Sequence, residues 1–171
     1  MKDAEYQRWL KLLDIPTTLE TERLLLRVAE ESNAEEMYQR IETSREHLAK
    51  YLRWAVDKFP TVQDTKAEIR RFRAMFFNRD DLHYLLFEKS TGKMIGAAGG
   101  HCFILRTPAW EVGYWLFQPF LGKGYATEAA KAIVQMAFEQ LQAKCVIFAI
   151  SSENEPSRRM AQRLKFTHDL T

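Results

Sequence analysis

The sequence predicts an α+β, mixed α/β fold, and three observations carry that expectation. After one early strand the apolar residues recur at helical spacing as far as about residue 80, from residue 82 the period becomes that of strands, and beyond residue 125 a helix, an apolar strand and a helix follow. The chain has 171 residues, 46% of them apolar and only 7 Gly and 5 Pro, enough for one sizeable core and without the signature of disorder, so one domain over 1–171 is expected.

Before Pro16, the residues Tyr6, Trp9, Leu10, Leu12 and Leu13 fall at roughly helical spacing, which predicts an amphipathic leader helix within 1–18. The run Thr21 to Val28, with charges at both ends, reads as the first strand. Ser32 or Asn33 caps a helix to about Glu42, and Thr43 or Ser44 opens another to about Trp54. Between Thr61 and Arg79 a third helix places Ile69, Phe72, Met75 and Phe76 on one face. His83 to Lys89 and Met94 to Leu105 form a hairpin about Ser90-Thr91-Gly92-Lys93, and the second strand carries small residues from Gly96 to Gly100 that permit close approach. After a turn around Thr107 and Pro108, Trp110 to Phe117 is a third strand, ended by Pro119. Ala126, Ala129, Ala130, Ile133 and Ala137 stripe a helix over Tyr125 to Leu141, suited to tight packing on a sheet. Lys144 to Ile150 is unbroken apolar sequence, expected as a strand buried on both faces, and Asn154 starts a last helix to about Lys165.

Charge and cysteine content exclude several classes. With 25 basic and 23 acidic residues the net charge is +2, so no overall field favours nucleic acid or a membrane surface as partner. Cys102 and Cys145 lie in apolar runs without metal-ligand spacing, which predicts two buried thiols, no disulfide framework and no metal site. Glu5, Lys11 and Asp14 interrupt the first nineteen residues, so no signal peptide or membrane span is expected there and a cytoplasmic location follows.

The stretch Gln118 to Glu128 is the chemically informative one, because Gly122-Lys123-Gly124 joins a strand end to a helix start. Glycines let several backbone N–H groups converge, and the new helix adds its unpaired N–H groups and a dipole that favours negative charge; a pyrophosphate suits such a cradle. A P-loop is excluded, since Phe117 stands five residues before Gly122 and Lys123 is followed by Gly124. The dinucleotide fingerprint fails at Thr127, where its third glycine would stand. A tight turn without a ligand is the alternative.

The run Gly113 to Ala129 resembles the acetyl-coenzyme A signature of the GNAT superfamily, in its ribosomal-protein N-terminal acetyltransferase, or Rim-type, branch. Leu19 to Arg27 looks like that branch's first strand and Asn154 through Phe166 like its last helix, so the resemblance spans about residues 19 to 166 in the expected order. It implies the GNAT fold, a mostly antiparallel twisted sheet flanked by helices. It further implies an acetyl-coenzyme A-dependent N-acetyltransferase in which the main chain of Trp115, Leu116 and Phe117 pairs with the pantetheine arm. The N–H groups from about Leu121 to Ala126, thus through Gly122, Lys123, Gly124 and Tyr125 toward Thr127, would hold the pyrophosphate. Asn154 matches the family asparagine that contacts the cofactor or a water near the thioester; it reads equally as a helix N-cap before Pro156.

For the chemistry, Glu111 is the first candidate base, since strand alternation puts it on the face of Gly113 and Trp115; it also reads as a solvated carboxylate. His101 is a second candidate, or a structural histidine. Where many relatives place a tyrosine acid, seven residues past the asparagine, this chain has Ala161, while Ser157 matches the Rim-type serine that could hydrogen-bond the coenzyme sulfur, or simply cap its helix. The family's side chain three residues before the first glycine is Pro119 here, with Gln118 displaced by one. Relatives continue past the segment matching Leu164 to Phe166 into further strands, so the chain's end at Thr171 predicts a sheet lacking its C-terminal strands, its open edge covered by homodimerisation or strand exchange. The expected acceptor is a protein N-terminus, with a small amine such as a polyamine or aminoglycoside, or a coenzyme-binding module without turnover, as alternatives. Residues 31–79 should form the acceptor wall, with Tyr51, Trp54, Phe72 and Phe76 as aromatic candidates for its lining.

Overall fold

The structure, a computed structural model, describes residues 3–52, 57–104 and 108–167. It opens with α1 (Asp3–Leu12), in which Tyr6 and Leu10 are buried and Trp9 packs beside them while Leu12 projects into solvent. The strand predicted over Thr21 to Val28 is shorter, Leu24–Arg27 (β2), and a strand the sequence did not mark, Thr18–Glu20 (β1), precedes it to make a hairpin. Its turn is made without glycine: the Thr21 N–H donates to the Leu24 carbonyl at 3.0 Å and the Leu24 N–H donates back to the Thr21 hydroxyl at 3.0 Å.

A single turn of 3-10 helix, Glu31–Asn33, leads into α2 (Ala34–Tyr51), which is one continuous helix where the sequence suggested two. Thr43 and Ser44 do not cap. The Thr43 hydroxyl donates to the Arg40 carbonyl at 3.0 Å, and the buried Ser44 hydroxyl accepts from the Gln118 N–H at 3.1 Å, so both are satisfied without breaking the helix. Trp54, the predicted end, lies outside the described residues. Thr61 caps α3 (Val62–Asn78) by accepting from the Asp64 N–H at 3.1 Å, and Ile69, Phe72 and Phe76 are its buried face, with Met75 only half-buried.

The remaining elements are β3 (Leu82–Glu88), β4 (Met94–Ile104), β5 (Pro108–Leu116), a 3-10 turn Gln118–Phe120, α4 (Tyr125–Glu139), β6 (Cys145–Ile147) and α5 (Glu155–Arg163). Leu105 and Thr107, assigned above to a strand end and a turn, lie outside the described residues. Among the described residues one six-stranded sheet runs in chain order, antiparallel from β1 to β5 and parallel between β5 and β6. The fold is therefore the mixed α/β arrangement expected, a mostly antiparallel sheet flanked by helices. Among the described residues, no helix is long and apolar enough to cross a membrane.

The strand predicted over 144–150 is the largest correction. Among the described residues only Cys145–Ile147 pairs, with β5 on one side, and Phe148 turns to pack on Phe166 at 4.6 Å between ring centres, which takes the chain away from β5. Cys145 is exposed and Cys102 only half-buried, so neither is the buried thiol expected.

Register fixes the two faces of the sheet. Leu85, Ala97 and Trp115 lie opposite one another on β3, β4 and β5, as do His83, Gly99 and Gly113. This face packs on α2 and α3, through Met37 and Phe72. The other face carries α1 and α4: the Tyr84 hydroxyl reaches Met136, and the Trp110 indole N–H donates to the Tyr6 hydroxyl at 2.9 Å.

Candidate active site

Where β5 and β6 part, the sheet opens. Their pairing stops at Glu111–Ile147, and beyond it a cavity of about 1060 Å³ runs between the rest of β5, the start of α4, the 148–151 segment and α5. Which backbone groups of β5 face this gap follows from alternation. The Pro108 carbonyl accepts from the Lys144 N–H toward β6, whereas the Phe117 N–H donates to the Ile95 carbonyl, toward β4. Even-numbered residues thus point toward the opening, so Val112, Tyr114 and Leu116 present unpaired-strand positions to it. Of the three residues expected to pair with a pantetheine arm, Leu116 is on the open edge, Trp115 turns its backbone toward Ala97 of β4, and Phe117 is buried with its N–H already used; Tyr114 and Val112 are the other open-edge positions.

At the end of β5 the chain bends through Gly122 and Gly124, at φ +74° and +82°. A Cβ on Gly122 or on Gly113 would meet nothing within 4 Å, so both border open space. The first backbone bond of α4 runs from the Glu128 N–H to the Gly124 carbonyl at 3.1 Å; the N–H groups of Tyr125, Ala126 and Thr127 precede it and sit at the positive end of the helix dipole. Leu121, Gly122, Gly124, Tyr125, Ala126 and Thr127 all border the cavity. Lys123 does not: its carbonyl accepts from the Arg23 guanidinium at 2.9 Å and its ammonium lies 5.4 Å over the Phe120 ring.

Arg23 and Glu128, neither singled out by the sequence, hold this bend. One Glu128 oxygen accepts from the Thr21 hydroxyl at 2.5 Å and from the Arg23 N–H at 2.8 Å, and the other accepts from the Arg23 guanidinium at 2.7 Å. Burial pushes the Glu128 carboxyl up, but these donors outweigh it and hold the group below the usual carboxylate range. A lowered folded-state value stabilises above the unfolded value of ~4.3, and that contribution is lost as pH falls through the folded value. Urea midpoints of the wild type are therefore expected to drop below about pH 4, and those of Glu128→Gln to start lower and fall less over the same window. Parallel pH curves for the two proteins would contradict this.

On the α5 side, Asn154 caps the helix, its side-chain oxygen accepting from the Ser157 N–H at 3.3 Å, and it also borders the cavity. The Ser157 hydroxyl accepts from the Tyr114 hydroxyl at 2.9 Å. Burial raises the Tyr114 phenol, so it stays protonated at neutral pH and able to donate in that pair. The serine's own proton is then free to point elsewhere.

On the α2 and α3 side, the cavity is bordered by His47, Tyr51, Asp81, His83, His101 and Glu111. His101 and Glu111 are register partners with Nε2 and Oε2 3.8 Å apart, both substantially exposed. His83 and Asp81 are closer, at 2.9 Å, and less exposed. Burial, with Lys50 nearby, lowers His47, which keeps it neutral at pH 7. Phe72 and Phe76 belong to the core, so of the aromatic wall candidates the cavity gains Tyr51; Trp54 is outside the described residues. Among the described residues no group of three or more His, Cys, Asp or Glu could hold a metal.

The acetyltransferase (GNAT) domain family model matches residues 23–167. The Bacillus subtilis (strain 168) protein "Putative ribosomal N-acetyltransferase YdaF" is 28% identical over 151 residues, covering 86% of this chain and 80% of that protein. Among solved structures, a "putative ribosomal-protein-serine acetyltransferase" from Vibrio cholerae is 25% identical with a TM-score of 0.75, over 85% of this chain and 80% of its own. RimL, a ribosomal L7/L12 alpha-N-protein acetyltransferase in complex with coenzyme A, shares the fold at a TM-score of 0.78 and 21% identity, over 90% of this chain and 83% of its own.

Proposed function

Since this chain belongs to the GNAT acetyltransferase family, as an acetyl-coenzyme A-dependent N-acetyltransferase, we propose that its acceptor is the α-amino group at the N-terminus of a protein, of the kind carried by ribosomal proteins. The residues present fit the coenzyme. A long, flexible ligand with a doubly anionic centre needs an unpaired strand edge, a cradle of N–H groups and room beside both, and β5, the Gly122–Thr127 bend and the cavity supply them. Bound there, acetyl-coenzyme A supplies an acetyl thioester to the amine.

The protein's part is mostly positioning. Tyr114 and Leu116 offer backbone groups to the pantetheine arm, and Gly122, Gly124, Tyr125, Ala126 and Thr127 hold negative charge. Asn154 orients the first turn of α5, and Ser157, receiving a hydrogen bond from Tyr114, holds a proton for the departing sulfur. Ser157→Ala is expected to lower turnover about tenfold, the size of one hydrogen-bonding contribution of roughly 1.4 kcal/mol, with the coenzyme dissociation constant unchanged. Steady-state kinetics beside calorimetry check this; a serine that only caps would leave turnover intact.

The observation that favours an N-terminal amine is the charge of the acceptor side. Asp81 and Glu111 are its carboxylates among the described cavity residues, and each sits beside a histidine; Arg159 and Arg163 border the cavity from α5, on the coenzyme side. A polyamine or aminoglycoside carries several positive charges and needs a more acidic pocket. An α-amino group, with a reference pKa of ~7.7 to 8.0, is about a tenth neutral at pH 7 and needs only a modest base, unlike a lysine near ~10.4. The test is free-thiol release from acetyl-coenzyme A with panels of N-terminal peptides, polyamines and aminoglycosides. Release with peptides alone is the expected result, and release with a polycation alone would overturn the acceptor assignment.

A further inference from the structure

We propose that His83, held by Asp81, is the base that takes the proton from the acceptor amine, in place of Glu111 or His101. The inference rests on the acetyl-transfer reading above and adds the residue that removes the proton.

Geometry carries the argument. His83, Gly99 and Gly113 form one row across β3, β4 and β5, on the face of α2 and α3. Adjacent strands lie about 4.8 Å apart, so the row spans roughly 10 Å from the imidazole's strand to the open edge of β5. Neither glycine puts a side chain into it. At Gly99 none is permitted, because a Cβ would meet the Leu82 carbonyl at 2.2 Å, and at Gly113 a Cβ would stand in open space. The row is thus a corridor from an imidazole to the edge where the thioester is offered.

Orientation and chemistry agree with that placement. His83 Nε2 lies 2.9 Å from Asp81 Oδ2, and its ring packs against Phe72 at 4.7 Å between centres. An ionised carboxylate only accepts, so in the neutral imidazole Nε2 carries the hydrogen and Nδ1 keeps the lone pair. Glu111 and His101 have each other at 3.8 Å, more exposed to water. Among the described residues, the other charged or titratable groups bordering the cavity on this side are His47 and Tyr51 from α2 and His101 and Glu111 from the sheet, and the Arg71 guanidinium lies 4.9 Å over the Phe72 ring that packs on His83. In the reaction His83 Nδ1 takes the N–H proton through water lying along this row, as the N–C bond forms. Ser157 donates a hydrogen bond to sulfur as the C–S bond breaks and its electron pair leaves on sulfur; the thiolate then takes a proton from solvent, to which the His83 imidazolium returns the one it took.

His83→Gln is expected to lower kcat/KM at least a hundredfold while acetyl-coenzyme A binding, followed by calorimetry, is unchanged. The decisive readout is the ratio of wild-type to variant kcat/KM against pH. The acceptor's own titration cancels in it, so the ratio should fall about tenfold per pH unit below the point at which the His83 ¹⁵N imidazole signals titrate by NMR. The same spectra of the coenzyme-free protein should show the Nε2–H tautomer, and Asp81→Asn should mix the two tautomers and lower turnover without changing the size of the ring that packs on Phe72. A pH-independent ratio, an Nδ1–H tautomer in the wild type, or full turnover in His83→Gln would overturn the assignment of the base alone. A wild type that binds acetyl-coenzyme A but releases thiol to no amine would overturn the acetyl-transfer reading and this inference with it.

Discussion

Trp110→Ala is expected to destabilise the protein by about 3 to 5 kcal/mol, the range for deleting a fully buried large aromatic side chain. Trp110 is 1% exposed and stands on β5 between Cys102 of β4 and Val146 of β6, so its removal leaves a void at the strand that carries the cavity edge. Its indole N–H also donates to the Tyr6 hydroxyl, which in turn donates to the Leu141 carbonyl at 2.5 Å. That chain of two hydrogen bonds ties α1 to β5 and to the end of α4, and the substitution cuts it. A denaturant series should show the loss in midpoint with little change in slope, and a melting temperature lower by on the order of 10 °C. A loss under about 1 kcal/mol would mean that α1 and the sheet collapse onto the void, contrary to the tight packing described.

Gly124→Val is expected to weaken acetyl-coenzyme A binding on the order of a hundredfold. At φ +82° the left-handed conformation costs a β-branched residue at least about 1 to 2 kcal/mol, and relaxing it turns the peptide planes that precede α4. Each N–H that no longer meets the anionic bridge forfeits a charge-assisted hydrogen bond, about 1.5 to 3 kcal/mol. A Cβ there would stand in ordinary van der Waals contact with the Arg23 guanidinium, at 3.4 Å, so the cost comes from the backbone conformation and not from a clash. Calorimetry with acetyl-coenzyme A measures the loss; wild-type affinity in the variant would show that the bend does not hold the coenzyme.

Local patterns in the sequence carried the helices and the bend, since each depends on neighbours a few residues apart. Tyr6, Leu10, Ile69, Phe72 and Phe76 are buried where helical spacing put them, and the two glycines of the bend do have positive φ. What escaped depends on contacts distant in sequence. Ser44 has the chemistry of a cap, yet its hydroxyl is used by Gln118, 74 residues on. The Thr21 turn has no glycine or proline to mark it. The apolar run 144–150 was legible as apolar, but only the sheet's opening decides that three of its residues pair and Phe148 does not. The Tyr114–Ser157 bond and the Arg23–Glu128 clamp join residues 43 and 105 apart, and the row of His83, Gly99 and Gly113 exists only once three strands are in register. Glu111 and His101 were reachable because alternation along one strand is local; His83 was not.

Backbone amide hydrogen exchange, measured with and without acetyl-coenzyme A, asks whether the β5 edge and the Gly122–Thr127 bend hold the coenzyme. Slowed exchange is expected at the amides of Tyr114 and Leu116 and at those from Gly122 to Thr127, with α1 and the β1–β2 hairpin unchanged. Protection that leaves this bend and this strand edge untouched, or appears only on other elements, would contradict that expectation.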